Sequence, residues 1–94
     1  MCSSDLSCAL RLDGTVVCWG ANGWGQLGNG STVNSQVPVG VTGISNAVQV
    51  ATGYGFACAL LDTPSVRCWG YNGWGQLGNG STVNSTTPVA VTGL

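Results

Sequence analysis

Short runs of alternating apolar and polar character, separated by glycine-rich clusters, make up the chain. In Ala47-Val48-Gln49-Val50-Ala51 the alternation places Val48 and Val50 on one face of a strand. Gly53-Tyr54-Gly55 separates it from Phe56-Ala57-Cys58-Ala59-Leu60. A third run, Ser65-Val66-Arg67-Cys68-Trp69, stops at Gly70. Pro88-Val89-Ala90-Val91 reads as a short strand with proline at its entrance, where a missing N–H does least harm. No helical period persists anywhere, and the pattern predicts an all-β protein.

Aligning the chain with itself extends this reading. Cys8 matches Cys58, Cys18 matches Cys68, Trp19 matches Trp69 and Pro38 matches Pro88, each pair 50 positions apart. Between 18–44 and 68–94 only Ala21/Tyr71, Gln36/Thr86, Val37/Thr87, Gly40/Ala90 and Ile44/Leu94 differ. A period of this length, with aromatic and glycine signals, belongs to propellers and solenoids, whose units bury their faces only against neighbours. The repeats read as 7–57 and 58–94, the second truncated. Residues 7–20 are expected to form a hairpin, 37–70 one four-stranded unit, and 87–91 the start of the next.

The run Cys8-Ala9-Leu10, Asp13-Gly14, Val16, Cys18-Trp19-Gly20, Asn22, Gly25-Gln26-Leu27-Gly28 and Pro38 resembles the regulator-of-chromosome-condensation repeat. The second copy carries it as Cys58-Ala59-Leu60, Val66, Cys68-Trp69-Gly70, Asn72, Gly75-Gln76-Leu77-Gly78 and Pro88. The resemblance covers 8–94 and implies a partial β-propeller of about two tandem repeats, with four-stranded antiparallel blades and a parent of usually seven blades. Thr63-Pro64 replaces Asp13-Gly14 in the second copy, which implies a different turn on the same fold. Residues 1–6 depart altogether. Cys2-Ser3-Ser4-Asp5-Leu6 is what a common sequencing adapter yields on translation, so 1–6 is expected to be a non-native leader and the parent's N-terminus to be missing.

Composition narrows the function. Of 94 residues, 16 are glycine and only five are charged: Arg11, Arg67, Asp5, Asp13 and Asp62. With a net charge of −1 there is no basic surface for a phosphate backbone, so no nucleic-acid binding is expected. No apolar run approaches the length of a membrane span. Without Lys, Glu or His, the groups for acid–base chemistry are few, and no catalytic residue, cofactor or metal is expected. Gly23–Gly28 and Gly73–Gly78 satisfy G-x-G-x-x-G, but Asn-Gly-Ser-Thr follows each where a dinucleotide site needs a helix. These glycines read as loop formers.

The cysteines lack zinc spacing and partner histidines. A three-residue hairpin loop Leu12-Asp13-Gly14, with Gly14 left-handed, sets Arg11 opposite Thr15 and Cys8 opposite Cys18. Alternation along the ladder makes Cys8/Cys18 a non-hydrogen-bonded pair, within reach of a disulfide. Cys58/Cys68 is its counterpart. Two readings stand, bridges or buried free thiols; recurrence of the spacing favours bridges and hence an oxidising, extracellular or cell-surface compartment. Cys2 is the odd one.

Trp19 and Trp69, on the strand face opposite the cysteines, read as core. Trp24 and Trp74 lie in the glycine-rich loops, where they either pack between blades or anchor a partner, with Tyr71 as a third candidate loop contact. Asn29-Gly30-Ser31, Asn79-Gly80-Ser81 and Asn84-Ser85-Thr86 are glycosylation acceptor strings, and Asn-Gly is equally a tight-turn dipeptide. The function expected is a non-catalytic scaffold that presents loops to a protein partner. Two alternatives are guanine-nucleotide exchange on a small GTPase and inhibition of a secreted enzyme. The outer faces are expected to be covered by the missing blades or by self-association.

Overall fold

The computed structural model describes residues 6–92. Seven strands form two antiparallel sheets, and no helix occurs among the described residues. The first sheet has the order β1 (Leu6–Leu10), β2 (Val16–Gly20), β3 (Ser35–Gly40). The second has β4 (Ala47–Thr52), β5 (Phe56–Leu61), β6 (Val66–Gly70) and β7 (Ser85–Ala90), in that order. Each is a meander, as expected of propeller blades. Five residues of the leader proposed over 1–6 lie outside the described range. Leu6, the sixth, begins β1 opposite Gly20.

The β1–β2 hairpin follows the register expected from its loop. Arg11 N donates to Thr15 O (2.9 Å), Gly14 N donates to Arg11 O (3.0 Å), and Gly14 has φ +86°. Cys8 therefore faces Cys18. The β5–β6 hairpin keeps the same offset through Leu61 N donating to Ser65 O (2.8 Å), and Cys58 faces Cys68. No non-glycine residue among those described has positive φ, so Asp62-Thr63-Pro64 turns without a left-handed position. The turn differs while the ladder does not.

The blade frame differs from the one expected over 37–70, and the stretch expected to start the next blade at 87–91 instead falls largely in β7, which pairs with β6 as the fourth strand of the second sheet. β3 does not lead into the second sheet; it returns to β2, with Val17 opposite Gly40 and Cys18 opposite Val39. The long loop after Gly20 doubles back and closes the first sheet. The crossing to the next blade comes later, at 41–46. That crossing is pinned to the first sheet by Val41 N donating to Val16 O (2.9 Å), Thr42 N to Gly28 O (2.9 Å) and Ala47 N to Gly14 O (2.9 Å). It buries Val41 and Ile44 and lays β4 beside β1.

Two strand details also differ. Pro88 is the fourth residue of β7, not its entrance; β7 is the edge strand and its register slips between Cys68 and Gly70, two settings that tolerate a missing donor. Val48 falls in a bulge of β4, where the register slips between Ala47 and Gln49. The extra residue breaks the alternation, leaving Val48 exposed while Val50 packs on the core.

The core lies between the sheets. Val16 and Cys18 of β2, with Leu27, Val41 and Ile44 from the connections, meet Ala47, Ala57, Ala59, Leu61 and Trp69 of the second sheet. Ala57 and Ala59 keep the surface of β5 low enough for this close approach. The cysteine face of the first blade thus packs on the tryptophan face of the second.

Candidate functional site

A buried asparagine builds the loop that carries Trp24. Asn22 Oδ1 accepts from Leu27 N (2.8 Å), and its Nδ2 donates to Ser31 O (2.9 Å) and Val33 O (3.0 Å). Its own N–H donates to Asn34 Oδ1 (2.8 Å), so one residue ties both ends of the loop. Inside this cage two tight turns follow one another, closed by Gly25 N donating to Asn22 O and Gly28 N donating to Gly25 O (both 3.0 Å). Gln26 is buried and its Oε1 accepts from Trp24 N (2.8 Å), which holds the backbone of the turn at Trp24.

Trp24 is held across the second sheet, directly against Gly55. A Cβ at Gly55 would lie 2.6 Å from Trp24 Cε3, so the ring needs a glycine there. Its ring centroid is 4.7 Å from that of Tyr71 and 6.1 Å from that of Tyr54. Tyr71 in turn meets Trp74 edge-on at 5.8 Å. Four rings thus run in a row, Tyr54–Trp24–Tyr71–Trp74, with spacings suited to aromatic contact. Trp24 and Tyr71 are half-buried; Tyr54 and Trp74, at the two ends, are 67% and 82% exposed.

The structure therefore brings the three loop residues singled out in the sequence, Trp24, Tyr71 and Trp74, into one row. It adds Tyr54, which had not been singled out. Tyr54 sits at the tip of the β4–β5 hairpin, closed by Gly53 N donating to Phe56 O (2.8 Å), with Gly55 at φ +77°. An aromatic residue between two glycines was the available signal. Tyr71 is one of the five positions at which the repeats differ, and Ala21 supplies no ring at the equivalent place.

The cysteine candidates lie away from this row. Cys8–Cys18 and Cys58–Cys68 form disulfides, each with Cα atoms 4.0 Å apart. The charged groups sit mainly in the hairpin turns. Asp13 is held below the ordinary aspartate value, chiefly by the Thr15 hydroxyl donating to Oδ1 (2.6 Å), then by Thr15 N (3.1 Å). Asp62 Oδ1 accepts from Asn46 Nδ2 (2.8 Å). Among the described residues no three metal-ligating side chains cluster, and no helix is long and apolar enough to cross a membrane.

Comparison with known proteins fits this architecture. The chain superimposes on human WBSCR16 with a TM-score of 0.80 and 26% identity, over 94% of this chain and 24% of that one. The structure of Kap60 bound to yeast RCC1 (Prp20) gives a TM-score of 0.80 at 23% identity, over 96% of this chain and 21% of that one. The chain thus spans about a quarter or less of each matched chain's length. The family described as the Regulator of chromosome condensation (RCC1) repeat matches residues 13–60 and 65–94, and a second profile of the same repeat matches 47–76. With repeat, blade topology and sequence profile in agreement, this chain belongs to the RCC1 repeat family.

Proposed function

We propose that this chain is a segment of a non-catalytic scaffold that presents its loops to a protein partner in an oxidising, extracellular or cell-surface setting. The row Tyr54–Trp24–Tyr71–Trp74 carries the reading. Aromatic side chains offer large contact areas with few rotatable bonds to freeze, and both ends of this row stand in solvent. Trp24 and Tyr71 are already locked by the loop and by each other, so a partner would meet a preorganised surface. The two disulfides support the oxidising compartment. In the structurally similar yeast RCC1 (Prp20), a protein, Kap60, is bound. The exchange reading rests on fold likeness alone, which carries no activity by itself.

A photo-crosslinking residue placed at Tyr54, and separately at Trp74, in the protein expressed by its source cells tests this. Both positions should capture the same protein, and Trp74→Ser should weaken capture from position 54 as Tyr54→Ser should weaken it from position 74. The non-reduced mass should be lower by the two hydrogens lost at each bridge. Absence of a defined crosslink would overturn the interaction reading; free thiols would overturn the compartment.

A further inference from the structure

Among the positions at which the repeats differ is 86, where threonine stands in place of Gln36. That change completes a chemical signal. Asn84-Ser85-Thr86 has the asparagine-x-hydroxyl spacing of an N-glycan acceptor, and Asn34-Ser35-Gln36, 50 positions earlier, does not. Two further strings with the acceptor spacing, Asn29-Gly30-Ser31 and Asn79-Gly80-Ser81, lie in the same loops. The three asparagines are held differently.

Asn29 and Asn79 are half-buried and turned into the loop cage. Asn29 Oδ1 accepts from Ser31 N (3.2 Å) and from Asn22 Nδ2 (3.5 Å); Asn79 Oδ1 accepts from Asn72 Nδ2 and Ser81 N (both 3.3 Å). Asn84 is exposed. Its Oδ1 accepts from Asn72 N (2.8 Å), and among the described residues its Nδ2 donates to nothing. A carboxamide has an accepting oxygen and a donating nitrogen, and a glycan bonds to the nitrogen. The oxygen that ties the loop therefore keeps its hydrogen bond when the nitrogen is modified. Nor does the exposure of Asn84 depend on what lies beyond its blade. Asn34 Oδ1 accepts the same bond, from Asn22 N (2.8 Å), and Asn34 remains exposed although the second blade packs against its loop at Gly25 and Gly28.

We propose that Asn84 carries an N-linked glycan, an inference that rests on the extracellular or cell-surface reading. The donor class is an oligosaccharide joined through its anomeric carbon to a lipid diphosphate. Asn84 Nδ2 attacks that carbon as the carbon–oxygen bond to the diphosphate breaks. The diphosphate leaves with the bonding electron pair, and Nδ2 gives up one of its two protons to a base of the transferase. What remains is a secondary amide, exposed at the nitrogen and held at the oxygen. Because Asn72 N–H holds that oxygen and Tyr71 is the preceding residue, the sugar is anchored close to the aromatic row. One hydroxyl thus gives two nearly identical loops different surfaces.

Peptide mapping of the protein from its source cells tests the proposal. The peptide that holds Asn84 should carry a sugar mass at that residue, removable by an amide-cleaving glycosidase, and Asn29 and Asn79 should carry none. Among variants expressed in the same cells, Thr86→Ala should lose the glycan and Thr86→Ser should keep it, a split that follows the hydroxyl. Gln36→Thr, at an exposed position, should add a second glycan at Asn34. Bare Asn84 in protein whose cysteines are bridged overturns the proposal and leaves the compartment reading standing; bare Asn84 with free thiols overturns both. A glycan at Asn29 or Asn79 in place of Asn84 overturns it too, as does a glycan that survives Thr86→Ala.

Discussion

Trp19 and Trp69 hold the same position in equivalent strands, in two stretches of nearly identical sequence, yet only Trp69 is fully buried. The loop of the first repeat lies over Trp69, whereas Trp19 faces outward. Gln26 is 1% exposed and Gln76 is partly open; Val16 is buried and Val66 is half-buried. Asn22 and Asn72 are by contrast alike. Both are 0% exposed, and Asn72 repeats the cage with Leu77 N donating to Oδ1 (2.9 Å) and Nδ2 donating to Ser81 O (2.9 Å) and Val83 O (3.0 Å). The difference separates what a repeat builds for itself, its loop cage and its hairpin, from what it acquires from a neighbouring repeat, the burial of its strand faces.

The largest expected effect tests the acquired part. Trp69→Ala should cost about 3–5 kcal/mol, the range for deleting a large buried aromatic. Trp19→Ala, at a half-covered site, should cost roughly half as much or less, the transfer energy following buried area. Denaturant midpoints of the two variants check this. Equal losses would mean that the two faces are equally covered in solution.

Gly25→Ala and Gly75→Ala come next. Both glycines have positive φ, +81° and +74°, so each alanine carries the left-handed penalty of roughly 1–2 kcal/mol. Only at Gly25 would the new methyl also meet backbone, 2.7 Å from Thr86 Cα. Overpacking there should add about 1–3 kcal/mol. A difference between the two unfolding free energies would measure the inter-blade contact with the local strain subtracted.

For the self-built part the expectation is equality. Asn22→Ala and Asn72→Ala each strand one loop N–H and two loop carbonyls, with a cost of about 1–3 kcal/mol for each group left buried and unpaired. Because the cages match, the two losses should agree in unfolding measurements. A clear excess at Asn22 would show that its cage also supports the neighbouring blade.

The smallest effect distinguishes the two hairpin turns. Asp13 has a folded-state pKa below its unfolded value, so its carboxylate stabilises the fold above the unfolded value, and that contribution disappears as pH falls through the lowered one. Asp13 is fully exposed, so only a slight acid-side slope is expected. The second turn uses a neutral hydroxyl pair, Thr63 Oγ1 with Ser65 Oγ (2.9 Å), at the equivalent place. Asp13→Asn should remove the slope in titrated stability curves, and Thr63→Ala should leave it.

Features governed by local chemistry were legible before any coordinates. Gly14 dictates the loop, the loop dictates the ladder, and the ladder sets Cys8 opposite Cys18. The second hairpin reaches the same pairing by another turn, because strand register there is also held by the apolar faces of β5 and β6. The blade frame was not legible in the same way. A repeat in sequence has no marked origin, and the pairing of β3 with β2 depends on how the Asn22 loop closes. Val48 escaped because a bulge breaks the alternation from which strands are read, and Pro88 because an edge strand with slipped register tolerates what a central strand would not. Tyr54 escaped because its meaning depends on Trp24, 30 positions earlier in the chain.

By itself, then, the sequence determined the all-β character, the 50-residue repeat, the cysteine pairs and the family, each encoded in residues close together or repeated in kind. Tertiary structure alone decided which of two equivalent tryptophans is buried, where one blade ends and the next begins, and that four separated aromatic residues form one row. Those outcomes depend on what lies across an interface, and identical residues take different environments when different groups face them.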